Sequence, residues 1–474
     1  MPYLVLKEAV MRKAFLLVLV LQYGLLSAQN WVLLNPDYKY NYSDDGTDTI
    51  SNQIFVTHID TLGVDSFRYE MNRIAVVCDT CPASLGGPCD GCFVRVDQPQ
   101  FLGYDCTRSG SNWHFNGPDT LLINNSGSIG STWVFDASTG ITASVDAEWS
   151  ATLFNVTDTL RRILLSNGDT LLLSRSYGIL RFENGGEHYD LLGVEGANVG
   201  RLFPDPLAYF DYQPGDQLTY HVSSIWLADP PGWFTFPFQV SRYWQVVING
   251  RTETADTIDY TTSVALTNYN SPYPGLMDEQ PNWPMPLTHW SFNRTDVHSQ
   301  HPILSAYPGQ VMDTSICWPE GPPNGTRYLA HYGIAADGHA RMFSQALGQS
   351  FGVPNSGFDA SQEVAPGVFP FATQIAINVW YEEGVGIRNV QFRTPYPFDV
   401  RVELVGAIIG GDTIIPPPVI NWTTSITESS ISMFSVFPNP TADQITVIGS
   451  GRKHHSYPEH RRPLDTKYQA GLEE

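Results

Sequence analysis

The sequence has little charge, still less positive charge, and no long apolar run beyond its first 28 residues. Charged residues make up 16% of the 474-residue chain, and 26 basic residues stand against 48 acidic ones. An acidic field of this kind repels nucleic acid and anionic lipid, so neither is expected as a partner. No later segment approaches the roughly 20 apolar residues that a membrane-spanning helix needs. The sequence therefore predicts no transmembrane segment in the mature chain.

The motifs that identify many enzymes are also missing. The sequence contains no His-Glu-x-x-His, no Gly-x-Ser-x-Gly and no phosphate-binding glycine loop. His298 and His301 lie close together, but no carboxylate stands at a fixed spacing from them. A glycosidase needs two carboxyl groups about 5 to 9 Å apart, a distance that sequence does not give. A non-catalytic protein is the leading hypothesis, and a hydrolase acting on polysaccharide or protein is the alternative.

What the chain does contain is typical of β structure. Aromatic residues make up 12% of the chain, with 40 glycines and 34 prolines, a composition that suits short strands joined by turns. Asn167-Gly168 and Asn249-Gly250 each stand between strand-like segments and predict hairpin turns. No apolar period of 3.6 residues is sustained after residue 28. These features predict an all-β protein of antiparallel sandwich-like or barrel-like domains, without deciding between the two.

The amino end has the organisation of a signal peptide. Met11-Arg12-Lys13 is a positive segment, Phe15 to Leu21 is apolar, and Leu26-Ser27-Ala28 offers a cleavage site. Met11 is the natural start of such a peptide. The mature chain is therefore predicted to begin at Gln29 and to pass through the periplasm.

The carboxyl end contains a strand, a Pro-Asn-Pro turn and a second strand, in the segment FSVFPNPTADQITV. This segment resembles the opening of the type A C-terminal sorting domain of type IX (Por) secretion cargo in Bacteroidota. The resemblance implies recognition by the type IX secretion machinery and a secreted or outer-cell-surface location. The resemblance stops after Val447. The matching positions are Phe434, Val436, Pro438, Asn439, Pro440, Asp443, Ile445 and Val447.

Four segments of the body also resemble uncharacterised secreted proteins of the same bacterial group, a likeness that implies no activity. They are FRYEMNRIAVVCDTC (67–81), LLLSRSYGILRF (171–182), HYDLLGVEG (188–196) and YEEGVGIRN (381–389).

Changes in composition divide the chain into six parts. A single β domain over 29–415 is an alternative to two separate β domains with a boundary near residue 203. The predicted parts are a signal peptide (1–28), a first β domain (29–203) with a Cys-rich loop (78–106), a second β domain (204–415), a Pro/Ser/Thr linker (416–431), a partial sorting domain (432–450) and an atypical tail (451–474).

The six cysteines are predicted to form disulfides, because thiols oxidise outside the cell and their number is even. Pairing within 78–106 would leave Cys317 without a local partner, so one long-range bridge or one free thiol is expected. Two Cys-x-x-Cys pairs could instead hold zinc or act as a redox dithiol, but the loop between them is short for a zinc ribbon. The zinc alternative concerns Cys78, Cys81, Cys89 and Cys92, and the disulfide prediction adds Cys106 and Cys317.

Aromatic residues cluster in Pro-rich segments and offer a candidate glycan-binding platform, since exposed rings can stack on sugars. Burial in a core is the alternative. The candidates are Trp226, Trp233, Phe236, Trp283 and Trp290.

A turn at Ser43–Asp48 gathers carboxylates around a glycine, as a calcium loop does, but it lacks the spacing of an EF-hand. No cofactor is expected, with calcium or zinc as minor alternatives. The sequence favours a secreted or surface protein that binds a glycan, a partner protein or itself.

Overall fold

The computed structural model describes residues 31–78, 93–118, 120–226, 238–267, 289–293, 301–313, 327–347, 367–371, 376–393 and 398–420. All of them belong to one compact unit, Met1–Thr424, and a second unit, Ser425–Glu474, lies outside the described residues. The signal peptide, the sorting motif and the tail are likewise outside them. The export signals therefore stay predictions.

The prediction of an all-β protein is confirmed. In the described ranges every regular element is a strand or a short 3₁₀ turn, and all strand pairings are antiparallel. Among these residues, no helix is long and apolar enough to cross a membrane. The two 3₁₀ turns span Pro206–Phe210 and Pro302–Ser305.

The strands are, in chain order, β1 (Lys39–Ser43), β2 (Asn52–Gly63), β3 (Ser66–Met71), β4 (Ile74–Val77), β5 (Phe93–Gln98), β6 (Asp105–Ser109), β7 (Asn112–Asn116), β8 (Thr120–Asn124), β9 (Thr132–Asp136), β10 (Ile141–Leu153), β11 (Val156–Leu165), β12 (Thr170–Ser174), β13 (Gly178–Asn184), β14 (Glu187–Glu195), β15 (Val199–Gly200), β16 (Gln217–Trp226), β17 (Phe238–Glu253), β18 (Thr257–Leu266), β19 (His289–Asn293), β20 (Val311–Met312), β21 (Arg327–Ile334), β22 (Ala340–Leu347), β23 (Val368–Pro370), β24 (Ala376–Glu382), β25 (Gly386–Arg393), β26 (Phe398–Ile409) and β27 (Asp412–Ile415).

Of the two predicted Asn-Gly hairpins, one is confirmed and one is wrong. Asn167-Gly168 lies in the connection from β11 to β12, and Gly168 has a φ of +98°. Asn167 does not have a positive φ, so the hairpin forms without the two-residue type I′ turn that this dipeptide favours. Asn249-Gly250 instead lies inside β17, where the register with β18 shifts between Ile248 and Gly250. A glycine within a strand often marks such a bulge. The chain reverses only after Glu253, between β17 and β18.

The first half of the chain forms a closed barrel. Its strands follow the order β1-β2-β3-β6-β7-β8-β9-β10-β11-β12-β13-β14, and β14 pairs with β1 to complete a ring of 12 strands. β15 continues the sheet from β14. This closure answers the question of sandwich or barrel for this half of the chain.

The barrel interior is filled by side chains and by the chain's own amino-terminal segment. Large rings such as Trp113, Phe115 and Phe182 point inward and are buried. Trp31, which precedes β1, is also buried in this core, and the guanidinium of Arg161 lies 4.4 Å from the centre of its ring. The segment from Trp31 to Leu34 thus forms part of the packed core.

The second half of the chain forms an eleven-stranded sheet around another core. Its strand order is β19-β18-β17-β16-β26-β25-β24-β22-β21-β20, with β27 paired to β26. The connection between the two large sheets supplies Leu207, Tyr209, Phe210 and Tyr212 to this core. The Tyr212 hydroxyl donates a hydrogen bond to the carbonyl oxygen of Val385 at 2.9 Å. The connecting segment is therefore an internal part of the second core.

A small third sheet joins the two halves of the chain. β23, from the second half, pairs with β5, which in turn pairs with β4. Val94 and Val96 of β5 pack with Leu329, Leu347 and Phe369. The strands of the two large sheets fall on either side of residues 201–216, but whether each half is a separate domain stays a prediction.

Gly178 sits where the amino-terminal segment meets the barrel wall, and it provides a test of this packing. Its φ is +78°, and a Cβ there would overlap the backbone carbonyl of Leu33. We expect Gly178→Ala to lower the free energy of unfolding by about 2 kcal/mol or more, because a rare backbone conformation and a backbone collision add together. Denaturant unfolding measures this loss.

Gly168→Ala is the matched control. Gly168 also has a positive φ, but a Cβ there would meet nothing within 4 Å. The free energy of unfolding of this variant should fall by only about 1 kcal/mol, the cost of the unfavourable backbone conformation alone. Equal losses in the two variants would contradict the close packing of the Leu33 segment against Gly178.

Candidate functional site

Seven residues, one from each of seven neighbouring strands, lie side by side across the second sheet. Register pairs connect each to the next, from β21 through β22, β24, β25, β26 and β16 to β17. We call them the outer row. Its members are His331, Phe343, Trp380, Asn389, Glu403, His221 and Tyr243.

The outer row lies on the face of the sheet that points away from the second core. Side chains alternate between the two faces of a strand, and the neighbours Tyr332, Met342 and Tyr381 are buried in that core. Neighbouring strands are about 4.8 Å apart, so the row extends over about 29 Å. Glu403 is exposed and the other six residues are half-buried.

Three rings stack at one end of the row. The ring centres of His331 and Phe343 are 4.3 Å apart with planes 9° from parallel, a distance that requires face-to-face contact. The ring of Trp380 is 6.2 Å from that of Phe343 and tilted by only 13°. Because the three planes are nearly parallel, the second face of Trp380 is turned towards Asn389 on β25.

A second ring pair stands at the other end. His221 and Tyr243 have ring centres 4.8 Å apart and planes at 28°. The Nε2 atom of His221 is 2.7 Å from the hydroxyl of Ser241. Burial lowers the pKa of His221, while the charge of Glu403, its register partner, acts in the opposite direction. Asn389 and Glu403 separate the two groups of rings.

Two histidines, one on β21 and one just before the second 3₁₀ turn, are held neutral by burial. The pKa of His301, which lies in the core against Phe210 and Tyr381, falls to about 4. Burial also lowers the pKa of His331 to about 4, although a side-chain hydrogen bond with Gln345 opposes the shift. Because these histidines are harder to protonate in the folded than in the unfolded protein, the free energy of unfolding depends on pH.

One group of side chains could hold a metal ion. Asp337 and His339 lie on the turn between β21 and β22, and Glu382 lies at the end of β24. One donor atom from each lies within 4.8 Å of the other two. It is the one such group in the part of the chain that the structure describes.

The predicted disulfides are not supported at the two cysteines that can be placed. Cys106 and Cys78 are both free thiols. Cys106 points into the barrel core and is fully buried, and burial raises the pKa of its thiol. The disulfide prediction therefore fails for Cys78 and Cys106 among the described residues. Cys81, Cys89, Cys92 and Cys317 lie outside the described residues, so their disulfides and the zinc alternative stay predictions.

The aromatic residues proposed from the sequence are not members of the outer row. Trp226 ends β16 and Trp290 lies on β19, while Trp233, Phe236 and Trp283 lie outside the described residues. Their role in glycan binding stays a prediction.

The acidic turn is held together by its own hydrogen bonds. The Ser43 hydroxyl and the Thr47 amide both donate to the carboxylate of Asp45, at 2.7 and 2.9 Å. These bonds lower the pKa of Asp45 to about 2. The loop needs no calcium ion to explain its conformation.

Sequence reasoning missed the outer row because its members come from separate strands. Within one strand, alternation does indicate which residue points outward. In β24, for example, Trp380 stands at an outward position between the buried Val379 and Tyr381. The order of strands and their register bring these positions together, and neither can be read from alternation. In comparisons with family models, curated proteins and solved structures, nothing matched this chain.

The buried histidines predict a loss of stability in mild acid. The unfolded chain binds protons at histidine near pH 6.5, whereas His301 and His331 resist protonation down to about pH 4. Stability is therefore fully present above about pH 6.5 and falls as the pH drops towards 4, by up to about 3 kcal/mol for His301. Denaturant unfolding at about pH 5 and about pH 7 measures the difference.

His301→Asn should reduce that difference, since it removes one titrating group. His58→Asn is the control, because His58 is exposed on β2. A difference that is the same in both variants would show that His301 does not contribute.

Proposed function

We propose that the protein is a non-catalytic secreted or cell-surface protein that binds a neutral glycan through the outer row. The observation that carries the proposal is the arrangement of ring groups on both sides of a polar pair, on one face of a regular sheet. The His331–Phe343–Trp380 stack lies on one side of Asn389 and Glu403, and His221–Tyr243 lies on the other.

The chemistry of the outer row suits a saccharide. The half-buried ring of Trp380 offers an apolar surface for a sugar ring, and Glu403 and the His221–Ser241 pair can bond to hydroxyl groups as donors and acceptors. Trp380 and His221 are three strand spacings apart, about 14 Å. That space accommodates more than one sugar unit. The formal net charge of −22 favours a neutral over an anionic glycan.

Export rests on the two ends of the sequence. The predicted signal peptide and the resemblance of Phe434 to Val447 to a type A sorting domain support delivery by the type IX route. Large binding surfaces of secreted proteins commonly use aromatic and polar side chains together, as the outer row does.

A hydrolase is the second candidate, and one contact favours it. The Ser241 hydroxyl is hydrogen-bonded to His221, and Glu403 is the register partner of that histidine. This order of groups is that of a nucleophile, a base and an orienting acid. However, Ser241 lies within a continuous ladder of β16 and β17. Amides used for such a ladder do not form the oxyanion hole that acyl transfer needs.

Substitution in the outer row tests glycan binding. We expect Trp380→Ala and His221→Ala each to weaken binding at least about tenfold, because truncating a central ring at an interface commonly costs 2 kcal/mol or more. The measurement is retention of the purified protein by a panel of neutral polysaccharides, in affinity electrophoresis and pull-down. Circular dichroism and thermal unfolding check that each variant remains folded.

Trp149→Ala is the matched control, because Trp149 is an exposed tryptophan on β10 of the barrel. Equal loss in this variant, or wild-type protein that binds none of the polysaccharides, would overturn the assignment. Ester or glycoside hydrolysis that disappears in Ser241→Ala would favour the hydrolase instead.

Deletion of residues 432–450 tests the export route. In a Bacteroidota host, we expect the full chain to reach the medium or cell surface and the deleted chain to remain in the periplasm. Cell fractionation with surface protease accessibility measures this. A host without the type IX translocon is the control, and export of the deleted chain would contradict type IX sorting.

A further inference from the structure

We propose that Asp337, His339 and Glu382 form a binding site for a divalent transition-metal ion of the zinc type. The inference is independent of the glycan-binding proposal. One donor atom from each of the three side chains lies within 4.8 Å of the others. Three ligands leave a further coordination position open to water or another ligand.

The backbone around these residues is well fixed. In the turn, the amide of Ala335 donates to the carbonyl oxygen of His339 at 2.8 Å, and the amide of His339 donates to the Asp337 carboxylate at 3.2 Å. Glu382 is joined to the same turn because its neighbour Glu383 donates its amide to Ala340 at 2.9 Å. These bonds fix the backbone positions of the three residues relative to one another.

One nitrogen of the His339 imidazole lacks a hydrogen-bond partner, which is consistent with a role in binding a metal ion. This nitrogen, Nδ1, is buried, and it lies 3.8 Å from the Oδ2 atom of Asp337. Buried polar atoms nearly always have a partner. A metal ion between the imidazole and the two carboxylates would supply the missing one.

Glu382 keeps one oxygen for a metal ion although two arginines neutralise its charge. Arg341 and Arg388 approach the same atom, Oε2, at 3.0 and 3.4 Å. The Nε atom of Arg341 also donates to Oε2, at 3.2 Å. The side chain is 4% exposed, so the arginines hold the carboxylate in place and leave the second oxygen for coordination.

The donor set decides the kind of ion. Calcium and magnesium prefer sites made of oxygen alone, whereas one imidazole with two carboxylates suits zinc and similar first-row ions. The cluster lies on the same face of the sheet as the outer row. Arg341 and Glu382 form a register pair that is two residues along β22 and β24 from Phe343 and Trp380, and the inward-facing pair Met342 and Tyr381 lies between.

Zinc titration of chelator-treated full-length protein tests the site. Isothermal calorimetry should detect one zinc equivalent that is lost, or bound at least tenfold more weakly, in His339→Ala and in Asp337→Asn. Cobalt in place of zinc should give a visible absorption band that disappears in the same variants. Both changes lie on an exposed turn, so the variants are expected to fold, and Glu382→Gln adds a third test.

His58→Ala and His188→Ala are matched controls. Each histidine faces an aspartate two residues away, Asp60 and Asp190, at 3.0 Å, but neither pair belongs to a group of three donors among the described residues. Both should retain the zinc equivalent, and every variant keeps His454, His455 and His460 near the carboxyl end, so zinc binding there would be the same in all of them. Wild-type protein that binds no zinc, or His339→Ala that binds as many equivalents as wild type, would overturn the proposal.

Discussion

Closure of the barrel between β1 and β14 is the constraint on which the rest of the structure depends. The seam is held by buried amides: Gln53 donates to the side chains of Asn41 and Glu195 at 2.7 and 3.0 Å, and Asn41 donates to the carbonyl oxygen of Arg201 at 3.1 Å. Because each of these groups is partnered only in one register, the seam fixes how three strands align. It also fixes where the chain leaves the barrel at Arg201. From there the chain supplies Leu207 to Tyr212 to the second core.

The second sheet uses its two faces differently. Tyr381 packs inward on His301 and Phe210, while its neighbour Trp380 stands on the outer face in the row. Two register shifts lie next to the row, one between Thr219 and Tyr220 and one between Trp380 and Tyr381. Bulges commonly re-aim side chains beside functional sites. The two shifts adjoin Trp380 and His221, the ring-bearing residues nearest to the polar pair of the row.

Local chemistry made parts of the fold predictable. Alternation of Val402 and Leu404 with Arg401 and Glu403 predicts a half-buried strand, and β26 buries the first pair and exposes the second. Asn167-Gly168 gave the expected hairpin, yet the same dipeptide at 249 forms a bulge because β18 pairs on both sides of it. Barrel closure, the outer row and the Asp337–His339–Glu382 cluster could not be predicted, since each needs strands that are distant in sequence to meet in one register.

The pairing of β5 with β23 has a consequence for how the chain can mature. β5 belongs to the first half of the sequence, and its partner comes only after β22. A chain that emerges from its amino end can assemble much of the barrel, but the edge of β5 has to wait for almost the whole second half. Until then that edge is open to pairing with other chains. A proteolytic cut between the large sheets would likewise leave the halves joined through this strand pair, so a cleaved molecule could migrate as one particle until it is denatured.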